Sequence, residues 1–481
     1  MRKEAISYFK LHITLTFVAL CVALALLLGG CSRTVMRTEK AETRAADAPV
    51  ETHKTSTASP VRVSAEGTEA AEPTITTGAD GAIYVAWVEH GTDGKADVWL
   101  SRYDGEGRAS SPSARVNSNA GEATAWRGDP PTLAVTRDGT VYVGWTARDE
   151  TAAHTGTLYL SSSRDGGRSF GPPSKVNDDR KPGVHGMHSL AVSGDGRIYM
   201  AWLDERNVVK PKPSKGGPVH MHSESNREVF FASSGDGGHT FSPNLKVAGE
   251  VCPCCKTSLV AGDDGRIYMA WRQVLPSNFR HIGVASSIDG GKSFSPTAIV
   301  SDDHWEIQGC PVSGPALAVA ADNSLRVLWY TAGEAGKPGL YWSESSDGGR
   351  TFSQRRTLAE TGGHGTPVLL KDAGGAFKAV WEGSDGTTPV TVMAGLKGDG
   401  QPTESSMLAN GGALPAAVEV GGQVFIAYIG ESGGNHAIWL TRAAVGADSR
   451  DGKAPSTVAV YRTRGVVKAI NREKGTVRID H

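Results

Sequence analysis

The chain has 481 residues, 50 Lys+Arg against 51 Asp+Glu, and a formal net charge of -1. That balance argues against a nucleic-acid-binding protein, which carries a basic surplus or stripe. Hydrophobic residues make up 39% and Gly is abundant at 60, so wholesale disorder is excluded and an all-β chain of short strands joined by glycine turns is expected.

The N-terminus reads as an address. Arg2 and Lys3 open a basic segment, an apolar stretch runs from Ile13 to Leu28, and it ends Leu28-Gly29-Gly30-Cys31. A basic start, an apolar run and small residues make a secretory signal; the other reading is a short membrane anchor left uncut. The closing residues resemble a bacterial lipobox. The resemblance implies a signal peptide over 1–31 that ends at Cys31, which is acylated. Ser32, rather than Asp, implies the outer membrane, facing the periplasm or the cell surface. Acyl chains anchor a protein without a spanning helix. Residues 32–60 are rich in Thr, Ala, Glu and Lys without periodicity and read as a flexible tether.

One unit then repeats. An apolar strand ending in Trp or Tyr recurs as DGAIYVAW (80–87), DGTVYVGW (138–145), DGRIYMAW (195–202 and 264–271), NSLRVLWY (323–330), GGAFKAVW (374–381) and GGQVFIAY (421–428). A third and a fourth strand follow each copy, except that the seventh unit has no fourth. VRVSAEG (61–67) has the missing pattern and precedes the first unit. The N-terminal strand is therefore expected to complete the last blade of a seven-bladed β-propeller over 61–444. That closes the ring and leaves no long open edge. Six blades, as in sialidases, is the alternative, because the last two repeats are weak.

The turn between third and fourth strands reads Ser-x-Asp-Gly-Gly-x-Ser/Thr-Phe at Ser163–Phe170, Ser234–Phe241, Ser287–Phe294 and Ser345–Phe352. Asp165, Asp236, Asp289 and Asp347 are structural here: a carboxylate accepts backbone N–H bonds within the turn, and Gly supplies positive φ. These turns resemble the Asp-box (BNR) repeat of the sialidase superfamily. The resemblance covers about 61–444 and implies a propeller. It also raises the alternative of an exo-alpha-sialidase or related glycoside hydrolase, with a glycan ligand and a clamp of arginines on a substrate carboxylate. Arg127, Arg148, Arg206 and Arg272 are the clamp candidates, with Asp129, Asp149, Asp204 and Glu205 nearby. The N-terminal Arg-bearing motif of those enzymes is absent, and so is an evident Tyr nucleophile with its Glu.

The loops expected at the end opposite the Asp boxes carry His, Met and Cys. They hold His185, Met187 and His188; His220, Met221 and His222; and Cys252, Cys254, Cys255 and Cys310. An exported protein with four remaining cysteines is expected to form disulfides, with three pairings open. A metal site on the same sulfurs and imidazoles is the second reading, and a reactive thiol the third. Thioether and thiolate ligands favour Cu(I).

Residues 445–456 read as a linker. Residues 457–481 alternate apolar positions around Asn471-Arg472-Glu473-Lys474-Gly475, which predicts a β-hairpin. This tail resembles the opening of CusF-like copper-binding domains. The resemblance implies copper handling in the envelope, although only His481 stands near a ligand position of that family. The expected protein is thus a membrane-anchored binding propeller for a metal, small molecule or glycan, with copper as its cofactor. A non-metal scaffold with an envelope protein partner is the remaining alternative.

Overall fold

The computed structural model describes residues 53–54, 57–124, 128–149, 156–180, 183–209, 226–307, 309, 311–361, 365–371, 374–397, 401–403, 405–444, 466–471 and 476–480. Seven antiparallel sheets follow one another along the chain. Blade 1 comprises Glu69–Thr77, Ile83–His90, Ala96–Tyr103 and Ala114–Arg115. Blade 2 comprises Thr132–Val135, Val141–Arg148, Gly156–Ser163 and Ser174–Lys175. Blade 3 comprises His185–Val192, Ile198–Asp204, Glu228–Ser234 and Leu245–Gly249. Blade 4 comprises Ser258–Ala261, Ile267–Leu275, Phe279–Ser287 and Ala298–Ile299. Blade 5 comprises Ala316–Val319, Leu325–Thr331, Gly339–Ser345 and Arg356–Glu360. Blade 6 comprises Val368–Lys371, Phe377–Ser384, Pro389–Leu396 and Ser406–Asn410. Blade 7 comprises Ala413–Val420, Gln423–Ser432 and Asn435–Ala444, and takes Val61–Arg62 as its fourth strand.

The first strand of each blade touches the first strand of the next, and that of blade 7 touches that of blade 1. The ring is therefore closed with seven blades rather than six. Val61 pairs with Leu440 and Arg62 with Trp439, so the chain's beginning fastens its last sheet. Two residues inside the expected tether, His53–Lys54, pair in parallel with Ser406 and Met407 at the outer edge of blade 6. The tail forms the hairpin Val466–Asn471 with Thr476–Asp480. No α-helix occurs among the described residues.

The core lies between blades. Trp87, Trp145, Trp202, Trp271, Trp329 and Trp381 occupy matching positions in the second strands and are almost fully buried. Each cluster mixes neighbours: Trp87 packs with Phe425 and Leu440 of blade 7, and Trp271 with Phe231 of blade 3. A strand alternates its two faces, so each sheet supplies apolar residues to both adjoining blades.

The Asp-box turns are self-contained. Asp165 Oδ1 accepts from the backbone N–H of Arg168 and Ser169 at 3.0 Å each. Its Oδ2 accepts from Ser169 Oγ at 2.6 Å, and Ser163 Oγ donates to Oδ1 at 2.7 Å. Asp236, Asp289 and Asp347 repeat this pattern. The hydroxyl donated by Ser169, ahead of the one from Ser163, holds the Asp165 carboxyl well below its ordinary range. Gly166 and Gly167 take φ of 76° and 86°, which a side chain would strain.

Candidate functional site

Loops from each fourth strand to the next blade, and from second to third strands, gather at the end opposite the Asp boxes, here termed the mouth. Several inner strands begin there irregularly. Glu72, Met187, Val312 and Leu414 hold φ of 54°, 53°, 47° and 45°. Register shifts occur between Ala71 and Thr74, Gly186 and Ser189, and Ala413 and Ala416. Such bulges break the alternation of faces and re-aim side chains. Val312 Cγ1 of blade 5 lies 3.9 Å from the point where Gly128, before blade 2, would carry a Cβ. The axis is thus narrow at this level.

Buried charge collects around it. Asp129 Oδ1 accepts from Met187 N at 2.7 Å and Oδ2 from Thr146 Oγ1 at 3.0 Å. Burial pushes the Asp129 carboxyl up to about 6, against the pull of Lys256. Lys256 donates to Pro130 O at 3.3 Å; desolvation brings its ammonium down to about 8, with Asp129 opposing. The His188 ring is buried with Nδ1 3.0 Å from Thr132 Oγ1. Burial, then Lys256, holds it well below the ordinary imidazole range. Glu72 accepts from Gly128 N at 3.1 Å and meets His90 Nε2 at 2.7 Å. His90 in turn lines a groove of about 550 Å³ with Glu69, Glu89, Lys95, Asp97 and Asn435.

The loop between blades 3 and 4 carries the sulfurs. Cys252, Cys254 and Cys255 are buried, and their sulfurs lie within 4.8 Å of one another. Among the described residues this is the one such group of metal-ligating side chains. Cys255 Sγ sits 3.4 Å from Cys252 Sγ, and Cys254 Sγ 3.7 Å from it. Cys252 and Cys255 are free thiols, whereas Cys254 is in a disulfide. Cys252 N donates to Arg272 O at 2.9 Å, which ties the loop to blade 4. Blade 5 closes over it: a Cβ on Gly314 would stand 2.2 Å from Lys256 O, so only glycine lets the chains approach.

Arg272 and Arg280 flank the group. Arg272 donates Nε to Ser313 O at 2.9 Å and Nη2 to Tyr330 O at 2.8 Å, and stacks on Trp305. The hydrogen bond from Cys255 lowers the Cys252 thiol, burial opposes it, and the Cys254 N–H and the two guanidinium groups add to the lowering. Burial, then Cys252, pushes the Cys255 thiol up.

The structure does not bring together every residue expected in one site. His185 Nδ1 meets Gly156 O at 2.6 Å, and its Nε2 faces Asp179 at 3.2 Å and Asp204 at 3.5 Å. Burial opposes its charge, but these carboxylates raise its pKa. Met187 packs into the apolar layer between blades 3 and 4. His188 turns toward Thr132. None of the three joins the sulfur group. Cys31, Arg127, His220, Met221, His222, Cys310 and His481 lie outside the described residues.

The arginine candidates that are described share no hydrogen-bond partner. Arg148 is exposed and donates to Gly94 O at 3.3 Å. Arg206 is held by Asp204, Asp178 and Asn244, above the Phe230 ring. Arg272 is committed to two carbonyls. Glu205 pairs with Arg227 at 2.9 Å. Sequence reasoning missed Glu72 and Arg280 as members of the mouth. Arg280 stands at the position that blade 3 fills with Arg227, so its charge alone did not mark it.

No protein-family model matches the chain, and no curated protein matches it. Solved structures do. The polysaccharide lyase Uly1 superposes with a TM-score of 0.51 at 11% identity, over 78% of this chain and 90% of its own. The likeness is one of fold. A protein from Dyadobacter fermentans is 17% identical over 81% of this chain and 99% of its own, with a TM-score of 0.49. A NanB sialidase mutant from Streptococcus pneumoniae is 12% identical over 80% of this chain and 71% of its own, with a TM-score of 0.44.

Proposed function

We propose that the chain is a cell-envelope lipoprotein, anchored through Cys31, whose propeller binds a soft metal ion, copper(I), at the cysteine loop. The observation that supports this is the packing of three sulfurs within 4.8 Å at the mouth. Thiolates select Cu(I) over harder ions. Two free thiols already suit it; the third sulfur becomes a ligand only when the Cys254 disulfide is reduced. Arg272 and Arg280 offset the negative charge that two or three thiolates would bring into a buried site. The C-terminal hairpin, with its resemblance to copper-binding domains, supports the same reading. The test is to reduce the full chain anaerobically, load it with Cu(I), and challenge it with bathocuproine disulfonate. Near one equivalent should survive in wild type and be lost in Cys252→Ser and Cys255→Ser. Complete transfer of copper from the reduced wild type to the chelator sinks the reading.

A second reading rests on the buried Asp129 and His188 and the half-buried Lys256; Gly128, next to Asp129 in the chain, donates to Glu72, which meets His90 of the groove. Shifted protonation of neighbouring groups marks a candidate for acid–base chemistry, and the polysaccharide lyase of like fold suggests the substrate class, a polysaccharide. Release of sialic acid or cleavage of a uronic polysaccharide, abolished by Asp129→Asn, supports it. Absence of turnover on both substrates removes it.

A further inference from the structure

The cysteine loop holds two oxidation states of sulfur side by side. Cys252 and Cys255 are thiols, and Cys254 is in a disulfide. Cys252 Sγ is central: 3.7 Å from the disulfide sulfur of Cys254 and 3.4 Å from the thiol of Cys255. All three side chains are buried, with exposures of 1%, 7% and 0% for Cys252, Cys254 and Cys255. No movement of an external reagent is needed for sulfur to reach sulfur.

We propose that Cys252, Cys254 and Cys255 form an internal thiol–disulfide relay, in which the disulfide held by Cys254 migrates to Cys252 and Cys255. In the first step the Cys252 sulfur attacks Cys254 Sγ. A Cys252–Cys254 bond forms, the bond between Cys254 and its present partner breaks, and that partner leaves as a thiol carrying the proton Cys252 gives up. In the second step Cys255 Sγ attacks Cys252 Sγ. A Cys252–Cys255 bond forms, the Cys252–Cys254 bond breaks, and Cys254 leaves as a thiol with the Cys255 proton. Two thiols and one disulfide stand at the beginning and at the end, so no oxidant or reductant enters. Exchange of this kind runs through attack of one sulfur on another and depends on access; here proximity supplies the access. Pro253 lies between the first two sulfurs, and Cys252 and Cys255 have the Cys-x-x-Cys spacing that closes a small disulfide ring.

The consequence is a switch. In one isomer Cys254 is stapled to its partner. In the other the staple is open and the oxidation is stored within a single loop. Arg272 ties this loop's strand to blade 5 through Ser313 O and Tyr330 O, so the loop keeps its place while its bonds change.

The relay does not depend on the metal reading, because it is tested without metal. Full-length protein is kept anaerobic with a chelator for hours, the timescale of disulfide reshuffling. It is then quenched in acid, alkylated under denaturing conditions and mapped as non-reduced peptides. Wild type should yield Cys252–Cys254 and Cys252–Cys255 species beside the Cys254 staple, with the total number of disulfides constant. Cys252→Ser should show the staple alone, with Cys255 fully alkylated. Cys255→Ser should stop at Cys252–Cys254, and Cys254→Ser should form no Cys252–Cys255 bond. Wild type showing only the staple, with Cys252 and Cys255 fully alkylated, overturns the proposal without any variant having to fold. So does a Cys252–Cys255 bond that forms equally in Cys254→Ser. Loss of copper binding with an intact relay would condemn the metal reading alone.

Discussion

Two ends of one disc treat the same side chain in opposite ways. At the Asp-box end, Asp165 is half-buried and accepts four hydrogen bonds from its own turn. At the mouth, Asp129 is buried and accepts two, from residues of blades 2 and 3. The first carboxyl is held low by local donors, the second is raised by desolvation. A turn that satisfies itself can be repeated in every blade. A charge satisfied only by neighbours exists once, where the ring brings those neighbours together.

The largest effect is expected where a mouth charge spans two blades. Arg272→Ala removes two buried hydrogen bonds from a cation, those to Ser313 O and Tyr330 O, and its stacking on Trp305. A loss of about 3–5 kcal/mol follows, to be read from urea unfolding. A loss below about 1 kcal/mol would show that the mouth is not held by its charges.

A smaller effect, of opposite sign at the two ends, is expected in pH dependence. The Asp129 carboxyl is raised in the folded state, so the fold binds the extra proton between the unfolded value near 4 and about 6. Its contribution is fully present below that window and is lost as pH rises through it, by about 3 kcal/mol. Asp129→Asn, which keeps an acceptor for Met187 N, should remove this decline in a series of unfolding midpoints from acid to neutral pH. An unchanged decline would place its origin elsewhere.

The smallest effect belongs to a single Asp box. The Asp165 carboxyl is lowered, so its contribution is present above the ordinary carboxylate range and fades as pH falls below it. The side chain is only half-buried, so water and salt still screen it, and three other boxes remain. Asp165→Ala should lower the melting temperature by only a few degrees at neutral pH and by less in acid. A larger drop in acid than at neutral pH would contradict the assignment.

The ring was legible in the chain because its signals are local. The Trp positions follow from alternation within one strand, and the four boxes from eight consecutive residues. Val61 and Arg62 could be assigned to the last blade because one unit lacked a fourth strand. The mouth was only half legible. The sulfur group at Cys252–Cys255 is a sequence neighbourhood and was found. Its flanking arginines were not read as partners of those sulfurs, because Arg280 looks like any charge in a strand. His185, Met187 and His188 were grouped by proximity in sequence. A strand sends successive residues to opposite faces, and a bulge at Met187 rotates them further, so they part company.

Repetition along the chain was enough to predict a closed propeller and its Asp-box turns, since these rest on hydrogen bonds and apolar contacts encoded within one repeat; that the blades number seven followed from the contact between the first strands of blades 7 and 1. Only the tertiary structure decided which buried charges face one another at the mouth, and that Cys254 is oxidised while Cys252 and Cys255 are not. Those outcomes depend on desolvation and on distances between blades, and neither quantity belongs to any single stretch of chain.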